Sequence, residues 1–305
     1  MAMTSRREFL QQIGVATASA LPLIRSATHA ARARAGDIRL GYAAITWGGN
    51  DEQAIADISA LGFPGIQLRA SVLTKFGTQP AALRDLLAQH QLTFVALSSG
   101  NVSIDPAAEA RVIDEHVAHA KFLRDGGGLY LQLIDERPAG RAVEAGDAQR
   151  LGQLLTEIGK RTAEVGIPVA YHPHMGSIGE RPNEIEHVLD ASDPKYVKLL
   201  LDVAHYQVGG GDPVSAIRRH ADRLLFLHIK DVRRPIRETP PSYEFVELGR
   251  GSVDLPGVFA ALRDVHFRGW AIVELDEVPD HARTPKDAAA ISKRYLEDVI
   301  RVPVS

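Results

Sequence analysis

An alternation constrains this chain most. From Gly36 onward, eight short apolar runs follow one another, each separated from the next by an amphipathic stretch of helical periodicity. The runs cover residues 38–43, 65–69, 93–98, 129–134, 168–172, 198–202, 224–230 and 270–274. Helical patterns begin near Asp51, Gln79, Pro106, Asp147, Pro182, Asp212, Leu255 and Pro285. Several of them open with a cap followed by proline, as in Asp105-Pro106, Arg181-Pro182 and Asp212-Pro213. Eight βα units with no break in composition predict one domain over 36–305, a single closed parallel (β/α)8 TIM barrel of the α/β class. A doubly wound open sheet usually carries a glycine-rich first turn, and Ala43-Ala44-Ile45-Thr46-Trp47 is not one. The Gly209-Gly210-Gly211 run reads as an isolated loop before a helix.

Four of the runs end in chemistry-bearing residues: Tyr171-His172-Pro173-His174, Asp202-x-x-His205, His228-x-Lys230 and Glu274. Strand side chains alternate, so His172 shares a face with Ala170, Asp202 with Leu200, His228 and Lys230 with Phe226, and Glu274 with Ile272. In each strand the polar residue follows apolar ones on its own face, the order expected of a filled barrel core topped by a polar rim. Active-site residues of such barrels come from the C-terminal strand ends, and imidazoles gathered there with carboxylates point to a divalent metal. Asp202, His228 and Glu274 are the expected ligands, with His172 as the fourth. Glu136, just past the fourth strand, competes with His172 for that position. Glu247 and Arg250 read equally well as a site or as a helix-entry turn. His116 and His119 read as the solvated face of a helix.

Net charge is −3, which argues against a nucleic-acid partner. Apolar residues make up 45% of the chain and charged ones 24%, enough for a large core without disorder. There is no cysteine, so disulfides and thiolate metal sites are excluded. The first 35 residues read as a targeting peptide. Thr4-Ser5-Arg6-Arg7-Glu8-Phe9-Leu10 is a twin-arginine pattern, a short apolar stretch covers 13–24, and Ala33-Arg34-Ala35 offers a cleavage site. The expected mature protein is periplasmic, with no membrane attachment once the signal is removed.

The strand-end motifs also carry a resemblance. Tyr171-His172-Pro173-His174-Met175-Gly176-Ser177, Leu199-Leu200-Leu201-Asp202 through His205 with Gly210-Gly211-Asp212-Pro213 after it, Leu227-His228-Ile229-Lys230-Asp231-Val232, and Gly249-Arg250-Gly251-Ser252-Val253-Asp254 before Gly269-Trp270-Ala271-Ile272-Val273-Glu274 resemble the xylose-isomerase-like barrels. Within them the chain is most similar to inosose dehydratases and the sugar isomerases and epimerases grouped with them, from about Gly41 to the C-terminus. The resemblance implies a metal, usually Mn2+, with Co2+, Mg2+ or Zn2+ as alternatives, held by a strand-five residue, Asp202, His228 and Glu274. Many relatives have glutamate at the strand-five position, where this chain has His172. A small carbohydrate is the implied partner, and homo-oligomerisation is left open.

The implied chemistry is proton abstraction next to a carbonyl of a non-phosphorylated keto-sugar, inosose or keto-glycoside, ending in isomerisation, epimerisation or elimination. In it Lys230 is the electrostatic or acid partner, its pKa lowered by the metal, and His174 and His205 are candidate bases, with Glu274 possible if it is only loosely ligated and Glu136 expected to assist turnover. Two rivals are a metal-dependent hydrolase on the same barrel and a non-catalytic carbohydrate-binding barrel. Export itself has a direct test. Replacing Arg6 and Arg7 with Lys is expected to hold the protein in the cytoplasm, because the pair is read by identity and not by charge; an unchanged periplasmic yield in cell fractionation refutes the signal.

Overall fold

A computed structural model describes residues 38–234 and 242–304. The expected signal, with Arg6 and Arg7, lies outside the described residues. The strands are β1 (Arg39–Ala43), β2 (Gly65–Arg69), β3 (Thr93–Val102), β4 (Tyr130–Asp135), β5 (Val169–Tyr171), β6 (Val197–Asp202), β7 (Leu224–Ile229), β8 (Asp231–Arg233), β9 (Glu244–Val246) and β10 (Trp270–Val273). Eight of them close into a parallel barrel in the order β1-β10-β7-β6-β5-β4-β3-β2. The other two, β8 and β9, pair antiparallel in a hairpin between the seventh and eighth barrel strands. All eight expected runs are barrel strands, as the alternation of apolar and amphipathic segments requires. The hairpin is an addition that the sequence did not announce.

The helices are α1 (Asp51–Ala60), α2 (Leu73–Phe76), α3 (Pro80–Gln89), α4 (Glu109–Asp125), α5 (Ala145–Glu164), α6 (Pro182–Asp190), α7 (Val203–Val208), α8 (Pro213–Arg219), α9 (Leu255–Asp264) and α10 (Pro285–Tyr295). Proline just inside the helix start and an oxygen acceptor before it set several boundaries. Asp212 accepts from the backbone N–H groups of Val214 and Ser215, and Thr284 caps α10 through Asp287. The fourth helix begins at Glu109 and not near Pro106, where Asp105 only turns the chain by accepting from Ala107 N. The fifth begins at Ala145, two residues before Asp147, because Asp147 serves as the third residue of a capping box with Glu144. Among the described residues no helix is long and apolar enough to cross a membrane.

The apolar interior has two parts. A large shell between strands and helices contains Leu68, Leu133, Leu155, Val188, Leu201 and Phe259. A smaller cluster fills the barrel itself with Ala43, Val95, Ala96, Ala170, Leu200, Phe226, Trp270 and Ile272. Ala170, Leu200, Phe226 and Ile272 are the residues that share a strand face with His172, Asp202, His228 and Glu274, so the barrel filling sets the level from which the polar rim rises.

One expectation fails on an outer face. His116 is buried, and its Nδ1 lies 2.6 Å from Ser99 Oγ, while His119 Nδ1 lies 2.8 Å from the same hydroxyl. The pairing of β3 with β4 shifts register between Ser98 and Asn101, which turns Ser99 outward onto α4. The two imidazoles pin that irregularity instead of facing solvent. Burial lowers the His116 pKa to about 4, with His119 adding to it.

Gly65 shows how tightly the barrel layer is filled. A Cβ there would overlap the Trp270 ring and approach Val95 Cγ2 at 2.7 Å. Gly65→Ala is therefore expected to destabilise the fold by about 1–3 kcal/mol through overpacking, read as a lower urea midpoint at unchanged slope. A midpoint equal to that of the parent would show that the ring layer yields freely.

Candidate metal centre

His172, Asp202, His228 and Glu274 converge at the C-terminal rim of the barrel. All four are buried, and each offers one ligand atom within 4.8 Å of the others. Strand register explains the meeting. Asp202 pairs directly with His228 across β6 and β7, and Glu274 N bonds to Ile229 O one step along. His172 immediately follows β5 and is anchored by its N–H to Leu133 O at 2.8 Å. An ion with ligand bonds of about 2.0–2.2 Å spans up to about 4.4 Å between opposite ligands, so small side-chain shifts close this set around one ion.

Hydrogen bonding supports that fit. His172 Nδ1, Asp202 Oδ2 and His228 Nδ1 are buried with no hydrogen-bond partner. Buried polar atoms are normally satisfied, and three orphans on one cluster call for a ligand. The rest of each side chain is held in place. Asp202 Oδ1 accepts from the N–H groups of Ala204 and His205, both at 2.9 Å, and so caps α7. His228 Nε2 lies 3.0 Å from Gln67 Oε1, and Gln67 Nε2 donates to Gln132 Oε1 at 2.8 Å. An amide oxygen can only accept, so Nε2 carries the proton and Nδ1 is left for a metal.

Lys230, two residues beyond His228 on the same strand face, is fully buried. Its Nζ donates to Asp276 Oδ1 at 2.7 Å and to Glu274 Oε1 at 3.1 Å, and is 3.9 Å from Asp202 Oδ2. The Phe245 ring of β9 covers it at 4.0 Å. Burial disfavours its charge, but the carboxylates of Glu274, Asp202 and Asp276 outweigh that and push its pKa up. Within the protein's own charge set, three carboxylates surround this ammonium and keep it protonated. Burial likewise opposes ionised Glu274, which His228 and Lys230 nonetheless hold well below the usual carboxylate range. Burial lowers His205 to about 3, so it is a neutral imidazole, with Nε2 3.4 Å from Lys230 Nζ.

A second grouping, His172, His174 and His205, also has ligand atoms within 4.8 Å. It contains no carboxylate, and His205 Nε2 already faces the Lys230 ammonium, so charge favours the four-residue set. His174 lines a cavity of about 300 Å³ together with Gln67, Arg69, Asn101, Glu274 and Asp276. Glu136 lies outside the cluster: it is exposed, does not line that cavity, and meets Asn101 Nδ2 at 3.4 Å. Glu247 is buried against Arg283 at 2.6 Å, with Arg250 at 3.8 Å, and forms a structural ion pair away from the ligands.

A family model described as xylose isomerase-like TIM barrel matches residues 55–298. The chain belongs to that family. An inosose dehydratase of Geobacillus kaustophilus is 27% identical over 86% of this chain and 94% of its own length. The rhizopine catabolism protein MocC of Rhizobium meliloti is 30% identical over 80% of this chain and 83% of its own. Among solved structures, an IolI protein with a bound zinc atom superposes with a TM-score of 0.72 at 17% identity, covering 86% of this chain and 98% of that one. An L-ribulose 3-epimerase superposes at 0.71 and 17%, covering 87% and 95%. At such identities the structures show the shared fold alone.

On this xylose isomerase-like barrel, the sequence missed Gln67, Gln132, Phe245 and the contact of Asp276 with Lys230. Gln67 and Gln132 had a readable signal, as amides within the apolar runs of β2 and β4. Phe245 had none, since nothing in its neighbourhood marks a hairpin folding over the rim.

Metal uptake should be proton-linked. Burial works against charged His228, but Glu274 and Asp202 raise its pKa to about 9. A ligand must be neutral at Nδ1, so below that value one proton leaves for each ion bound. Mn2+ affinity in chelator competition is expected to rise about tenfold per pH unit between pH 6 and 8.5. His172→Ala should lower metal occupancy sharply, whereas Glu136→Ala should leave it intact. Metal lost only in the Glu136 variant would move the acidic ligand to the fourth strand.

Proposed function

We propose that the protein is a divalent-metal-dependent enzyme that removes a proton next to a carbonyl in a small, non-phosphorylated keto-sugar, inosose or keto-glycoside. The observation that carries this reading is the convergence of four buried ligands, three with unsatisfied atoms, two of which, His172 and Glu274, line a cavity of about 300 Å³. Its volume suits one sugar ring. The names of the relatives, inosose dehydratase foremost, favour elimination of water over isomerisation. Two imidazoles and two carboxylates suit Mn2+, Co2+ or Zn2+ better than Mg2+, which prefers an all-oxygen shell. We propose further that the enzyme works in the periplasm, a reading supported by the twin-arginine pattern at Arg6 and Arg7.

Bound by His172, Asp202, His228 and Glu274, the ion would supply Lewis-acid polarisation of adjacent substrate oxygens. The protein's own groups divide the proton work. His174 is the base, since it faces the cavity, whereas His205 is turned towards Lys230 and Phe245 and is too weak a base at a pKa of about 3. The carbon-bound proton passes to the His174 imidazole. Asp276 lines the cavity opposite, with burial raising its pKa, and is bonded to Lys230. The His174 imidazolium passes that proton on to the departing β-oxygen, which leaves as water, while the Lys230–Asp276 ion pair stays charged and Lys230 remains a fixed positive charge beside the site. Return of a proton to carbon instead yields an isomer or epimer.

The test is incubation of Mn2+-loaded protein with inososes and keto-sugars in D2O, followed by mass spectrometry. Substrate that loses water, or that gains deuterium at carbon, supports the reading. Cleavage without carbon-bound deuterium establishes the hydrolase instead. His174→Gln is expected to lower turnover by about 10²–10⁴-fold with metal content unchanged; unaltered turnover would remove His174 as the base.

A further inference from the structure

The ligands and Lys230 occupy β5, β6, β7 and β10 and the residues just after them, one half of the rim. The cavity extends from there to the other half, where the ends of β2 and β3 bring Arg69, Ser71, Ser98 and Asn101 to its wall. In the closed strand order β2 lies directly across from β6, so Arg69 stands opposite Asp202. Arg69 is two residues beyond Gln67 on the same inner face, and Gln67 touches His228 on the cavity floor.

We propose that Arg69 selects a substrate bearing a carboxylate at the end remote from the metal centre, an inference that rests on the carbohydrate reading above. Among the described residues, Arg69 is the sole arginine or lysine lining the cavity, and it has neither an ion pair nor a hydrogen bond. Its field reaches Asp51, whose pKa it lowers against a larger upward push from burial, but not within pairing distance. Arginines elsewhere that serve structure are paired: Arg137 with Glu180, Arg233 with Glu244, Arg283 with Glu247. The charge balance points the same way. A divalent ion and the Lys230 ammonium bring three positive charges, which Asp202, Glu274 and Asp276 balance. Arg69, exposed at the end of β2, is left over, and a monoanion entering the cavity would find its partner there.

A carboxylate fits better than a phosphate. The guanidinium fork matches its planar oxygens, and Ser71, Ser98 and Asn101 add hydroxyl and amide groups but no second cation. A phosphate dianion would need that second charge or a cradle of backbone N–H groups.

The experiment is calorimetric titration of Mn2+-loaded protein with methyl α-D-glucuronoside and methyl α-D-glucoside, which differ only at C6. The glucuronoside is expected to bind roughly 10- to 100-fold more tightly, the range of a charge-assisted pair. Arg69→Met should abolish that preference while glucoside affinity and metal content stay within about threefold, and Arg69→Lys should restore part of it. Equal binding of both sugars by the parent, removed by EDTA, overturns the Arg69 proposal and leaves the carbohydrate reading standing. A glucuronoside preference that survives in Arg69→Met also overturns it, by placing the carboxylate on the metal. Failure of both sugars to bind, or binding that EDTA does not affect, overturns the Arg69 proposal, and the D2O experiment above then decides the carbohydrate reading by itself.

Discussion

A buried ammonium needs compensation, and Lys230 sets the terms for the rest of the rim. It is fully enclosed, so its charge persists only because Glu274, Asp202 and Asp276 lie within 3.9 Å of it. Two of those carboxylates are also candidate metal ligands. The same negative charge that keeps Lys230 protonated thus draws a cation into the cluster, and it raises His228 to about 9 when no ion competes. Phe245 closes the far side of Lys230 and excludes water, which strengthens each of these interactions.

Around that charge set the barrel works as a jig. Apolar residues at Ala170, Leu200, Phe226 and Ile272 fill its axis and carry His172, Asp202, His228 and Glu274 to one level. Hydrogen bonds from the opposite strands complete the alignment, since Gln67 and Gln132 fix the orientation of His228 from β2 and β4. The two halves of the rim therefore do different work. One half concentrates charge, and the other supplies small and amide-bearing residues that leave space for a ligand, with Arg69 as its one cation in the cavity wall.

Much of this could be read from the chain itself. The period of the apolar runs determined eight strands, and alternation along each of four strands put a polar residue above an apolar one on the inner face. Those are local properties, dictated by the two-residue repeat of a strand and by the need to bury one face of each helix. The placement of His172 beside Asp202 and His228 follows once the barrel is closed, because neighbouring strands share a register.

What only the tertiary structure decided is what each group meets across the barrel. Glu136 has the right chemistry and stands at a strand end, yet the turn after Asp135 leaves it exposed beside Asn101. His116 and His119 share the spacing of a solvated helix face, yet the shifted register of β3 turns Ser99 outward to bind both. Lys230 was expected beside a metal, and its nearest charges within the protein are carboxylates from β6 and from the segment after β10. A sequence states which side chains leave a strand on which side. The pKa of each, and its freedom to act, depend on partners 17 to 161 residues away, and those distances close only when the barrel does.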